Sequence, residues 1–269
     1  MLNISSLLLV AALHSIGPVQ HSSSSTLTVA RFSSDVGHHN LTRINFEDSV
    51  QRLYAVIGLE SYGLSYEVFR FGMIGFYSLK HEGKLGDKNI LTIIDFTKAS
   101  AQKRFYTIDL DDLTVKYHTY VSHGKNTGEN WAQHFSNAVH SNQSSLGFYV
   151  TAETYIGSKG YSLKLDGTEK GFNDKMRERA VVMHEADYVS ERWIKIYGRL
   201  GRSQGCPALP KEISKEIINA IKGRTVIFAY FNDDTYLRSS ALLNMDVLLN
   251  RLDEHPELAS SESLPVSIR

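Results

Sequence analysis

Ile90-Leu91-Thr92-Ile93-Ile94-Asp95-Phe96 is the stretch on which the fold depends. Its β-branched, continuously apolar character predicts a buried strand. Lys103 to Leu110 alternates, with Phe105, Thr107 and Asp109 against Tyr106, Ile108 and Leu110, and is expected to pair with it across a short Ala-Ser-Ala turn. Thr114 to Val121, Phe148 to Ile156, Tyr161 to Leu165, Arg179 to Met183 and Thr225 to Phe231 read as further strands. Upstream the period is helical. Phe46, Val50, Leu53, Tyr54 and Ile57 share one face of a helix opening near Asn45, and Ser65 to Leu79 carries a second apolar face. Between the last two strands, Pro210 suits a helix's first turn, Ile213, Ile217, Ile218 and Ile221 form its stripe, and Gly223 ends it. The expected body is a mainly antiparallel β domain with a helical N-terminal flank.

Composition narrows the function classes. The 269 residues are 42% hydrophobic and 22% charged, as in a globular protein with a sizeable core. Lys plus Arg equals Asp plus Glu at 29 each, which gives no footprint for nucleic-acid phosphates. The apolar run Leu7 to Leu13 is shorter than the ~20 residues a membrane-spanning helix needs and suits the core of an export signal. The chain is therefore divided into a signal peptide over 1–21, a Ser-rich linker over 22–44, a domain over 45–234 and a C-terminal tail over 235–269. Stable membrane insertion is not expected, nor is a cofactor. His184-Glu185-Ala186-Asp187-Tyr188 begins like a zinc-protease helix but has Tyr188 where the second His is needed. No metal site is expected.

One cysteine makes an internal disulfide impossible, and a lone exported thiol is a liability unless it is buried or used. Cys206 lies in Gly198-Arg199-Leu200-Gly201-Arg202-Ser203-Gln204-Gly205-Cys206-Pro207-Ala208-Leu209-Pro210, a glycine-rich loop. Pro207 biases Cys206 towards extended backbone. Gly205 and Cys206 offer adjacent N–H groups with no side chain at Gly205 to block a substrate oxygen, as an oxyanion hole requires. Arg202 and a helix start near Pro210 are expected to lower the thiol pKa. The candidate base is His184, at the end of the apolar run Ala180 to Met183. Ser122-His123-Gly124-Lys125-Asn126 ends another strand in a glycine turn. His123 and Asn126 are candidates for the same cleft, with a structural role for His123 equally open. His38, His39 and His81 read as solvated.

Ser203-Gln204-Gly205-Cys206 preceded by His184 resembles the murein L,D-transpeptidase catalytic-domain family, of the YkuD-like kind. The Gly-Arg-Ser-x-Gly-Cys-Pro-Ala signature is similar to that of a divergent branch. Ser122 to Gly128, Ser144 to Tyr149 and Gly171 to Asp174 match further blocks of that branch in order. The resemblance implies a β-sandwich-like domain in the periplasm or at the cell envelope. It implies attack by the Cys206 thiolate on an L,D-peptide bond of a peptidoglycan stem, with His184 as general base and acid. Ser203, Gly205 and Cys206 match the loop shaping the oxyanion site, and Arg202 is a candidate for a substrate carboxylate. The thioester would pass to an amine, giving a crosslink, or to water, giving carboxypeptidase action. Three departures stand out: Gln204 replaces the family's second His, the spacer between His184 and Cys206 is longer, and Glu185 follows His184 in place of Gly. Gln204 motivates an alternative, a non-catalytic peptidoglycan-binding envelope protein that retains the fold. The Cys/His pair alone also fits a peptidase acting on ordinary proteins.

Overall fold

The computed structural model describes residues 43–254. The signal-peptide reading, most of the linker and the end of the expected tail lie outside the described residues. Within them the protein is mainly β with α, built on one mixed, curled sheet of eight strands. The strands are β1 (Ile90–Asp95), β2 (Phe105–Asp109), β3 (Thr114–Thr119), β4 (Gly147–Gly157), β5 (Gly160–Gly167), β6 (Val182–Glu185), β7 (Ala208–Leu209) and β8 (Val226–Tyr230). Their order is β3-β2-β1-β8-β4-β5-β6-β7. Pairing is antiparallel except for β1 with β8 and β6 with β7.

The apolar run of 90–96 is buried at every β1 position because the strand is central, flanked by β2 and β8 and covered by helix. The antiparallel partner expected over Lys103 to Leu110 is β2, with Thr92 opposite Thr107. Helices α1 (43–57) and α2 (Tyr66–His81) lie near the expected bounds. Ser65 caps α2, its hydroxyl accepting the Val68 N–H at 3.3 Å. Two glycines let α2 press onto the sheet. A methyl group at Gly72 would meet Ile93 and Leu91 at 3.2 Å, and one at Gly75 would lie 2.0 Å from the Phe148 ring. That ring stacks on Phe228 at 4.3 Å between centroids, so helix, β4 and β8 share one close-packed layer.

Helix α4 (Lys211–Ile221) buries Ile217, Ile218 and Ile221 against β5 and β6. Two differences from expectation bear on the site. The segment expected as a strand from Arg179 is strand only from Val182; Arg179 and Ala180 close a turn, with Ala180 left-handed at φ 51°. A short helix, α3 (Glu191–Tyr197), occupies the His184–Cys206 spacer. Residues 235–254, expected as tail, fold back onto the body. Tyr236 on α5 (Asp234–Ser239) is fully buried, as are Leu248 and Leu249 on α6 (Met245–Glu254), and all three join the main core.

Candidate active site

The loop before β7 is held from three sides, and each hold is readable in a residue type. Gly124 and Ser203 form a parallel bridge, the Ser203 N–H donates to His123 O at 3.0 Å, and the Lys125 N–H donates to Ser203 O at 2.8 Å. The Ser203 hydroxyl then closes the turn internally. It donates to Cys206 O at 2.6 Å and accepts the Gly205 N–H at 3.0 Å. Gly205 has φ 121°, and a Cβ there would sit 2.8 Å from Gln143 O, so only glycine fits. The Gly205 N–H is thus used inside the turn, whereas the Cys206 N–H donates to none of the described residues.

The parallel register sets His184 opposite Ala208 and Glu185 opposite Leu209. Continued back two residues, it sets Cys206 beside Val182, and the Val182 N–H does point at the sulfur, 3.5 Å away. Ala180 O lies 3.9 Å from the same sulfur. His184 is therefore two residues along β6 from the point where Sγ touches that strand. Among the described residues no hydrogen bond joins the sulfur to the imidazole; the sulfur's partners are the two backbone groups just named. His184 Nδ1 donates to Glu185 O at 2.7 Å, which leaves Nε2 as the ring's acceptor. The ring borders an open cavity of about 320 Å³ lined also by Lys159, Asp187, Tyr188 and Lys211. A cavity of about 580 Å³ between Lys84, Arg177 and Arg224 lies away from the cysteine loop.

Burial lowers the His184 pKa, the Glu185 carbonyl opposes that, and Lys159 adds to it, so the ring is neutral at neutral pH. The thiol of Cys206 is half-buried, and desolvation pushes its pKa up against the Val182 N–H, Arg179 and Lys159. The expectation of a thiol lowered by Arg202 is overturned. Arg202 donates to Lys125 O and Gly128 O at 3.1 Å and to Glu129 at 2.7 Å, so its charge is engaged elsewhere. Glu129 is shared with Arg199 at 2.9 Å. The resting pair is neutral thiol and neutral imidazole.

His123 has no exposed surface. Arg104 donates to its Nδ1 at 2.8 Å, and its Nε2–H points at Gly128 O and Glu129 O, 3.2 and 3.1 Å away. Burial and then the Arg104 charge push its pKa down to about 3. The ring is placed under the cysteine loop rather than in a cleft. Asn126 is exposed and donates to Ser141 O at 2.8 Å, tying the 141–143 segment to the Gly124 turn. Three residues that sequence reasoning passed over interact electrostatically with the sulfur: Arg179, Lys159 and Tyr188, the last with its hydroxyl pushed up to about 12 by burial and by Cys206. Arg179 and Tyr188 lie in turns flanking β6 and Lys159 in the β4–β5 turn, and no spacing rule marks them. Among the described residues no group of His, Cys, Asp or Glu is arranged to hold a metal, and no helix is long and apolar enough to cross a membrane.

The mixed sheet thus sets the end of β6, which carries His184, next to the glycine-rich loop that carries Cys206. The family model of the L,D-transpeptidase catalytic domain matches residues 60–230. The chain belongs to the L,D-transpeptidase catalytic-domain family. A comparison with curated protein sequences finds no match. Among solved structures the chain is similar to an L,D-transpeptidase from Mycobacterium smegmatis, with 13% identity, 54% of this chain and 59% of that chain covered, and a TM-score of 0.34. It is similar also to the helical cell shape determining protein Pgp2 from Campylobacter jejuni, with 12% identity, 68% and 64% covered, and a TM-score of 0.37. L,D-transpeptidase 1 from Mycobacterium tuberculosis gives 13% identity, 54% and 62% covered, and a TM-score of 0.31. In all three the match spans less than two thirds of the other chain.

Proposed function

We propose that the protein is a cell-envelope L,D-transpeptidase or L,D-carboxypeptidase acting on peptidoglycan stem peptides through a thioester on Cys206. The observation that carries this reading is the sulfur held against β6, two residues from an imidazole whose Nδ1–H is tied to Glu185 O. In the first half-reaction Nε2 of His184 takes the thiol proton while Sγ attacks the carbonyl of the L,D bond. The Cys206 N–H, which donates to none of the described residues, receives the developing oxyanion. The C–N bond then breaks, and His184 returns the proton to the leaving amine. In the second half-reaction an acceptor amine or water gives its proton to His184 and attacks the thioester. A new amide or a free carboxylate forms, and the proton passes back to the thiolate. With a neutral resting pair, proton transfer accompanies substrate binding, because excluding water brings imidazole and thiol to bear on one another.

The test is intact-protein mass spectrometry after incubation with a carbapenem. The expected result is one covalent adduct on the wild type and none on Cys206→Ala; a folded wild type that takes no adduct counts against the reading. Muropeptide products then separate crosslinking from hydrolysis. The missing hydrogen bond between sulfur and imidazole favours a second reading, a peptidoglycan-binding envelope protein without turnover. Peptidoglycan retention unchanged by Cys206→Ala, with no adduct and no product from the wild type, would select it.

A further inference from the structure

Arg179 is engaged by four hydrogen bonds and yet has no carboxylate partner among the described residues. Nη1 donates to Ser136 O at 2.7 Å and to Ser145 Oγ at 2.5 Å; Nη2 donates to Ser141 Oγ at 3.2 Å and to Gln143 O at 2.5 Å. All four acceptors are neutral, so the guanidinium keeps its full positive charge in a half-buried position. The same Nη2 lies 3.3 Å from where a Cβ on Gly205 would stand, next to Cys206 in the chain. The backbone that follows Arg179 wraps the sulfur, with Ala180 O at 3.9 Å and the Val182 N–H at 3.5 Å. Ala180 holds a left-handed backbone there, a conformation that costs a non-glycine residue about 1 kcal/mol or more.

We propose that Arg179 is a positioning residue for the Cys206 thiolate: its guanidinium laces residues 136–145 to the turn that wraps the sulfur and supplies the positive charge that the sulfur needs when it loses its proton. Arg202, the charge expected from the motif, is paired with Glu129, and Arg179 takes its place. The charged and titratable groups that act electrostatically on the sulfur come from three elements. They are Arg179 in the turn before β6, Lys159 in the β4–β5 turn and Tyr188 in the turn after β6. His184 stands further along β6 itself. Lys159 is solvent-exposed and screened, and Tyr188 is neutral, so Arg179 is the enclosed cation of the set. Its value to catalysis rests on the reading of Cys206 as nucleophile, but its effect on the thiol does not.

The experiment follows the rate of iodoacetamide alkylation of Cys206 against pH in the full chain, where the thiolate displaces iodide to form the S–C bond. Removing an opposite charge beside an ionising group moves its midpoint by about one unit or more. Arg179→Gln is expected to raise the midpoint by about one unit and to slow alkylation at pH 7 about tenfold, while Arg179→Lys stays near wild type. A folded Arg179→Gln with the wild-type midpoint overturns the proposal, as does an Arg179→Lys shifted as far as Arg179→Gln. If Arg179→Gln does not fold, Ser141→Ala with Ser145→Ala decides, because it removes two of the four bonds and leaves the cation on its two carbonyl partners. An unchanged midpoint there supports the charge effect, and a raised one overturns it. Failure of the carbapenem adduct in wild type would sink the enzymatic reading while leaving this midpoint comparison intact.

Discussion

At the scale of single residues, each of the two histidines near the cysteine loop has one tautomer fixed by a carbonyl, and the two are put to different uses. His184 spends Nδ1–H on Glu185 O and keeps a lone pair beside a cavity; His123 spends both nitrogens inside the protein. A histidine held neutral by burial is a liability in acid. The unfolded chain takes up a proton below pH ~6.5, whereas folded His123 does so only near 3. The unfolded state therefore binds more protons across that window, and stability falls as the pH falls through it. Urea unfolding is expected to show the wild type losing about 2 kcal/mol from this site between pH 7 and pH 5. His123→Gln, which can still accept from Arg104 and donate to a carbonyl, is expected to lose the extra pH slope. The sequence made Cys206 and His184 candidates because residue type carries chemistry. It misjudged the thiol's electrostatics, because which charges act on a sulfur depends on which turns fold around it.

At the scale of elements, strands of five residues or more were legible and very short pieces were not. β1, β2, β3, β4, β5 and β8 fall near their expected bounds because their runs are long enough to carry a strand pattern. β7 is two residues long, and α3 buries none of its seven residues, so neither leaves a pattern to read. Yet β7 decides the site, since its parallel register with β6 fixes how far the cysteine stands from the histidine. The contact of α2 with the sheet makes a sharp prediction. Gly75→Ala drives a methyl group into Phe148 and is expected to cost about 1–3 kcal/mol by overpacking, read as a lower denaturation midpoint. Adding Phe148→Leu should recover part of that loss.

At the scale of the whole molecule, the family match ends at residue 230 but the folded body continues to 254. Glu169 is the fastener. Its carboxylate accepts the Phe148 N–H at 2.8 Å, the Tyr236 hydroxyl at 3.0 Å and the Ser240 hydroxyl, joining β4 to α5. Burial raises its pKa against those donors. Glu169→Ala strands buried donors and is expected to cost about 2–4 kcal/mol. Limited proteolysis should then cut first within 234–254, and cleavage spread evenly over the chain would contradict this role.

The sequence by itself determined the mainly β body, the buried strand over 90–96, the helical N-terminal flank and the cysteine and histidine on which the chemistry is proposed to rest. Those features are local: they are written in periodicity and in residue type. Only the tertiary structure decided which charges act on the sulfur, that the Gly205 N–H is used inside its own turn, and that the C-terminal helices belong to the core. These are relations between segments far apart in the chain, set by register and by close packing, and no local pattern encodes them.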